Sequence, residues 1–259
     1  MGRVSGKVAF VTGGSRGIGQ ATAQLLVAEG ADVVITGTDR ERGEKAAHAM
    51  AYDGNKVVFL KHNVGSEAEW QALLDRTLER FGKLNVLVNN AAIFFGGSVE
   101  HTTLQDWRRL MSINLDGVFL GIKYGIQAIR KNSDGGSIVN LSSISGKVAH
   151  SLIPAYCASK GGVGMLTKSA ALHCAEQGYN IRVNSVHPGL VWTDMGKQVA
   201  SLVAHGDEEA GRQALEELYP TGCLVEKTDV AQAILYLASD DSKSVTGAEL
   251  VVDGGYLAS

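Results

Sequence analysis

Thr12-Gly13-Gly14-Ser15-Arg16-Gly17-Ile18-Gly19 decides the fold, because of what stands on either side of it. Residues 7–12 form a short β-branched run, and after the turn Ile18, Thr22, Leu25 and Leu26 recur at helical spacing. A second β-branched run follows at residues 32–36. A glycine turn between a strand and a helix lets the chain bend tightly and lets a pyrophosphate approach the backbone, while the helix N-terminus offers free N–H groups and positive dipole. Gly13, Ser15, Arg16, Gly17, Ile18 and Gly19 are therefore candidate cofactor-binding residues. No Gly-Lys-Ser/Thr follows, which excludes an ATP-binding P-loop.

The same alternation continues to the C-terminus. Residues 56–61, 84–89, 137–141, 181–186 and 249–252 read as further strands, and their near-continuous apolar character suits a parallel sheet covered on both faces. Between them, Trp70, Leu73, Leu74, Leu78 and Phe81 follow a 3.6-residue period behind a Ser66/Glu69 capping box. A helix starting near Thr228 turns Val230, Ile234 and Leu237 inward. Such β-α alternation predicts an α/β fold: one Rossmann-like, doubly wound parallel sheet of about seven strands with helices on both faces. Ligands of such sheets bind beyond the carboxyl ends of the strands. No linker divides the 259 residues, so residues 1–259 read as one domain.

Composition narrows the function. A formal charge of −3 with mixed signs lacks the basic stripe of a nucleic-acid surface. No run approaches the ~20 apolar residues of a membrane span, and the first residues hold no stretch long enough for a signal peptide. Cys157, Cys174 and Cys223 lack metal-ligand spacing and read as reduced thiols of a cytoplasmic protein. The sequon at Asn140 falls in a strand expected to be buried and is read as chance.

Two further stretches carry chemistry. Tyr156-Cys157-Ala158-Ser159-Lys160 places a phenol and an ammonium at i and i+4, on one helix face. A neighbouring cation favours the phenolate, so Lys160 is expected to lower the Tyr156 pKa from its ordinary value near 10 and make it a general base. The end of the second strand, Thr36-Gly37-Thr38-Asp39-Arg40, bears on cofactor choice. Gly37 stands where an acidic residue would bind both ribose hydroxyls, and Arg16 with Thr38 could form a 2′-phosphate pocket. Asp39 opposes this if its carboxylate turns inward, with Arg40 or Arg42 able to offset it. The reading favours NADP(H) over NAD(H).

With the glycine turn, Asn89-Asn90-Ala91-Ala92, Asn114, Ser143, Tyr156 with Lys160, and Pro188-Gly189 leading to Thr193, the chain resembles the short-chain dehydrogenase/reductase family over essentially its whole length, in the subgroup of about this size. The stretch from Asn114 to Gly189 is most similar to ketoreductases and secondary alcohol dehydrogenases, with hydroxysteroid dehydrogenases close behind. The resemblance implies an NAD(P)-dependent oxidoreductase that interconverts a secondary alcohol and a ketone without a metal. It implies Tyr156 as acid/base, Ser143 bonded to the same substrate oxygen, Lys160 on the nicotinamide ribose, and Asn114 holding a water that leads from Lys160 to solvent. It further implies cofactor contacts from Gly37, Thr38, Asp39, Asn63, Val64, Asn90, Ala91, Pro188, Gly189, Val191 and Thr193. Asn63 departs from the family's usual Asp, and Ala92 from its usual Gly. His187, beside Pro188, is read as structural rather than as an acid/base.

Residues 190–225 are expected to form a lid, bringing Val191, Trp192, Met195, Leu202, Tyr219 and Leu224 opposite Phe94, Phe95, Ile144, His150 and Leu152. Phe94, Ile144, His150, Leu152, Trp192 and Met195 are the candidate substrate pocket, suited to a hydrophobic aryl, cyclic or steroid-like substrate. Gly161, Gly162, Gly164, Ala170 and Ala171 on the Tyr156 helix would let a second helix pack closely, and the family resemblance implies a homotetramer. A silent nucleotide-sensing regulator would lack part of the Ser143, Tyr156, Lys160 and Asn114 set; a sugar-nucleotide epimerase or dehydratase would need more chain.

Overall fold

A computed structural model describes residues 2–51 and 56–259. In chain order the elements are β1 (Val8–Thr12), α1 (Gly17–Ala28), β2 (Asp32–Gly37), α2 (Arg40–Met50), β3 (Val57–Lys61), α3 (Glu67–Phe81), β4 (Val86–Asn89), α4 (Leu104–Met111) and, after a π-helical turn at Ser112–Asp116, α5 (Gly117–Ile129). There follow β5 (Gly136–Leu141), a 3-10 turn at Ile144–Gly146, α6 (Pro154–Glu176), β6 (Ile181–Pro188), α7 (Asp194–Val203), α8 (Glu208–Glu216), α9 (Lys227–Ala238), β7 (Glu249–Val252) and a last 3-10 turn at Tyr256–Ala258.

All seven strands join one parallel sheet in the order β3-β2-β1-β4-β5-β6-β7. The order reverses between β1 and β4, so the cleft beyond their carboxyl ends is where a ligand belongs. The sheet divides the core into two layers. On one face Ala9, Val11, Val33 and Ile35 pack with Leu26 of α1 and Val230 and Ile234 of α9; on the other Phe10, Leu87 and Ile138 pack with Trp70 and Leu74 of α3 and Ile126 of α5. Strand residues thus bury alternate side chains on opposite faces, which is why the runs read as continuously apolar.

One local expectation is corrected. Ser66 precedes α3 but makes no side-chain cap, and Glu69 instead accepts from the Asn63 N–H at 2.8 Å. The carboxylate satisfies a loop amide near the cleft rather than the helix terminus. Asn140 is fully buried in β5 and donates to Thr167, so its sequon is inaccessible. Among the described residues, no helix is long and apolar enough to cross a membrane.

Candidate active site

The glycine turn has the conformation that its composition predicts. Gly17 lies at φ +56°, in the left-handed region, and a Cβ on Gly19 would stand 2.4 Å from both the Asn90 amide nitrogen and the Gly13 carbonyl. The turn is tied to the neighbouring strand by Thr12, whose hydroxyl accepts from the N–H groups of Asn90 (2.9 Å) and Ala91 (3.0 Å). The Asn90 side chain donates back to the Thr12 carbonyl at 2.8 Å. Asn90 therefore shapes the cradle. Thr12 was not singled out in the sequence, although its place at the strand end, directly before the glycines, was a usable signal.

From this turn a cleft of about 1230 Å³ runs across the carboxyl ends of the strands to Tyr156. Its walls include the glycine turn, Gly37, Thr38 and Asp39, Asn63 and Val64, Asn90 and Ala91, Ser143, Tyr156 and Lys160, and Pro188, Gly189, Val191 and Thr193. All six candidate pocket residues, Phe94, Ile144, His150, Leu152, Trp192 and Met195, line its far end. Phe95 does not, and Leu224 belongs to the core instead. Tyr256 also joins the wall, its ring 5.3 Å from Tyr219 and 6.5 Å from His150.

Several polar groups are more committed than expected. Asn63 Oδ1 accepts from the Gly65 N–H at 3.1 Å, leaving one of its two lone-pair sites for adenine. The Val64 carbonyl accepts from the Trp70 indole at 2.8 Å, which uses one of its two lone pairs. Thr193 caps α7, accepting from the Gly196 N–H at 3.3 Å, and its methyl group would lie 3.6 Å from a Cβ on Gly17. Asp39 caps α2, accepting from the Arg42 N–H at 3.0 Å, and pairs with the Arg42 guanidinium at 3.6 Å, and both residues line the cleft. The Arg16 guanidinium pairs with Asp194 at 2.9 Å, and Arg16, Thr38 and Asp194 all line the cleft.

At the reaction end, Pro154 opens α6 and Tyr156 and Lys160 follow one turn apart on its cleft face. Lys160 is 3% exposed and donates to the Leu141 carbonyl at 2.7 Å, while Ser142 Oγ donates to the Lys160 carbonyl at 2.8 Å. The ammonium lies 5.6 Å from the Tyr156 ring centroid, and Phe94 meets the same ring edge-on at 5.5 Å. Ser143, two residues beyond β5, has extended backbone, accepts from the Ser145 N–H at 3.1 Å and lies close enough to the Tyr156 phenol to favour its phenolate.

Burial dominates the electrostatics. It pushes the Tyr156 phenol up to about 12, against the Ser143 hydrogen bond, which favours the phenolate, and it brings Lys160 down to about 8. Lys160 alone does not acidify Tyr156 as expected, because its ammonium is turned to Leu141 and both groups are desolvated. Asn114 is fully buried. Its side chain is closed on Ile93, accepting from that N–H at 2.8 Å and donating to that carbonyl at 2.9 Å. One N–H and one lone-pair site of the side chain remain beyond these two bonds, and Asn114 sits inside the π-helical turn, where Gly117 N–H reaches back five residues to Ser112. A π-turn adds a residue to the helical ladder and so frees a main-chain carbonyl from it.

The glycine cradle, the open position at Gly37 and the cleft that ends at Tyr156 suit a dinucleotide. A family model described as enoyl-(acyl carrier protein) reductase matches residues 13–257. The chain belongs to the short-chain dehydrogenase/reductase family. It is 48% identical to an NADP-dependent (R)-specific alcohol dehydrogenase of Lentilactobacillus kefiri, over 99% of this chain and 98% of that one. It is 39% identical to a 3-beta-hydroxysteroid dehydrogenase of Comamonas testosteroni, over 98% and 97% of the two chains. The crystal structure of a levodione reductase superposes with a TM-score of 0.95 at 30% identity, covering 99% of this chain and 100% of that one. The doubly wound architecture is that of the family.

Gly19→Ala is expected to weaken cofactor binding at least about tenfold and to cost about 1–3 kcal/mol of stability, since its Cβ meets Asn90 and Gly13. Fluorescence titration with NADPH and thermal melting check this; an alanine variant with unchanged affinity would show that the cradle is not the binding turn.

Proposed function

We propose that the protein is an NADP(H)-preferring oxidoreductase that interconverts a secondary alcohol and a ketone on a hydrophobic aryl, cyclic or steroid-like substrate. The observation that carries this reading is the meeting of Ser143, Tyr156 and Lys160 at the apolar end of a cleft that begins at a dinucleotide cradle. The names of the relatives support it: one is an NADP-dependent alcohol dehydrogenase and another acts on a hydroxysteroid.

A bound nicotinamide would supply or take the hydride, and the protein's part is alignment and proton transfer. Tyr156, kept neutral by burial, donates its proton to the substrate oxygen during ketone reduction and takes it back during alcohol oxidation. Ser143 donates a hydrogen bond to the same oxygen as charge develops there. Lys160 spends one of its three N–H donors on Leu141 and has two for ribose hydroxyls. Asn114 anchors the loop after β4 through Ile93 and offers its main-chain carbonyl to a water on the proton path. Phe94, Ile144, Leu152, Trp192 and Met195 exclude water from the reacting carbon. Residues 190–225, carrying α7 and α8, act as the lid of a single catalytic domain, and Arg212 stacks 5.1 Å from the Trp192 ring to hold α8 against its start.

The preference for NADP(H) rests on Gly37, on an Asp39 engaged by Arg42 and the start of α2, and on Arg16 at the cleft mouth. Arg16 must exchange Asp194 for the 2′-phosphate, a small cost because the pair is solvent-exposed. We also assign the protein to the cytoplasm, as a homotetramer. Phe119 of α5 and Met165 and Leu172 of α6, at 49%, 67% and 65% exposure, give these helices an apolar outer face for a second copy. Light scattering is expected to give a mass near four chains; a monomer would overturn the assembly.

Purified protein assayed with NADPH and NADH against aryl, cyclic and steroid ketones should consume NADPH in preference, and Tyr156→Phe should lower turnover by about 10²–10⁴-fold while keeping NADPH binding. A variant with normal rates would contradict the mechanism. Arg16→Glu is expected to weaken NADPH by at least about tenfold more than NADH; equal effects on both would remove Arg16 from the phosphate site.

A further inference from the structure

His187 lies near the end of β6, is 1% exposed and contributes nothing to the chemistry described above. Its ring nevertheless touches the catalytic strip. Nδ1 is 3.2 Å from the Ser143 carbonyl oxygen and Nε2 is 2.8 Å from Ser185 Oγ. A carbonyl only accepts, so Nδ1 carries the hydrogen. Burial, with Lys147 and Lys160 nearby, holds the imidazole down to about 4, so it is neutral and Nε2 accepts from the Ser185 hydroxyl. The charged groups around it are Glu249, with Oε1 3.8 Å from Nε2, and Lys147 and Lys168, which bond the other Glu249 oxygen at 2.8 and 3.0 Å. That carboxylate is already neutralised by the two lysines, which leaves the imidazole no reason to charge.

The Ser143 carbonyl accepts twice, from the Gly146 N–H at 3.0 Å and from His187, so both of its lone pairs are used. The peptide plane after Ser143 is thereby fixed from two directions. The helix that carries Tyr156 and Lys160 makes room for the ring one turn further on: a Cβ at Gly164 would lie 3.6 Å from His187 Cε1 and 3.0 Å from Glu249 Oε1. The ring thus fills the space between β7, the Ser143 turn and α6.

We propose that His187 is a positioning residue for the reaction: as a neutral imidazole with its hydrogen on Nδ1, held by Ser185, it grips the Ser143 carbonyl and so aims the Ser143 hydroxyl at Tyr156 and the substrate oxygen. This rests on the role of Ser143 proposed above. A packing role would ask only for ring volume; the positioning role asks for a donor at Nδ1.

Three substitutions separate the two roles. Asn carries an amide N–H where Nδ1 stands, Gln places its amide near Nε2, and Leu supplies neither. His187→Leu and His187→Gln are expected to lower kcat for ketone reduction about tenfold, the loss of about one oriented hydrogen bond, with NADPH affinity and ketone KM within about twofold of the parent. His187→Asn should restore kcat to within about threefold of the parent. Thermal melting and NADPH fluorescence titration establish that each variant is folded and loaded. A Leu variant with parental kcat, or Asn and Gln variants that fall equally, would overturn the proposal. Ser143→Ala is the control: if it keeps its rate, the reading of the site fails and the inference with it, whereas if it is inactive beside a fully active His187→Leu, the inference alone fails.

Discussion

The site depends on a reciprocal clamp between the end of β5 and α6. The Lys160 ammonium donates to the Leu141 carbonyl at 2.7 Å, and Ser142, one residue on, donates through its hydroxyl to the Lys160 carbonyl at 2.8 Å. Gly146 completes it, since a Cβ there would stand 2.7 Å from that same Lys160 carbonyl. With strand and helix joined at this distance, Tyr156, one turn back on α6, must face Ser143, two residues beyond Leu141. A buried cation without a carboxylate partner is a costly arrangement in a core and is characteristic of sites where a proton or charge is to be moved. Burial then sets the two groups against their ordinary states: the phenol resists ionisation and the ammonium holds its proton less tightly than an exposed lysine.

A second constraint holds the other end of the cleft. Thr12 at the end of β1 and Asn90 after β4 exchange hydrogen bonds across the switch point of the sheet, so the glycine turn is fixed to the strand that leads into the substrate wall. Ile93 continues that segment and is bonded through both its main-chain groups to Asn114 in the π-helical turn. The glycine turn, the segment that runs through Ile93 and the π-helical turn are consequently parts of one hydrogen-bonded frame rather than separate loops. Such continuity suits a reaction in which hydride and proton must arrive at adjacent atoms.

Much of this was legible before the structure. All seven strands lie where β-branched runs placed them, because parallel strands covered on both faces leave an apolar run that survives without context. The glycine turn and the Tyr156/Lys160 spacing were readable for the same reason: each is a local pattern whose geometry is set by its own backbone. What escaped is tertiary. Nothing near Arg16 announces its pairing with Asp194, 178 residues away, and the failure of the Ser66/Glu69 cap follows from a competing loop amide on Asn63. The expected acidification of Tyr156 by Lys160 was a pairwise argument from helix spacing; it omitted the desolvation that both groups share and the carbonyl that occupies the ammonium.

We propose that the protein by itself keeps Tyr156 a neutral phenol and that the positive charge of a bound oxidised nicotinamide would lower its pKa and make it a base. Difference titration of tyrosinate ultraviolet absorbance, wild type minus Tyr156→Phe, with and without NADP⁺, measures this directly. The expected result is a Tyr156 ionisation well above the ordinary tyrosine value in the free protein, falling by more than about one unit when NADP⁺ is bound. A Tyr156 already ionised at neutral pH in the free protein, or a titration that NADP⁺ leaves unmoved, would contradict it.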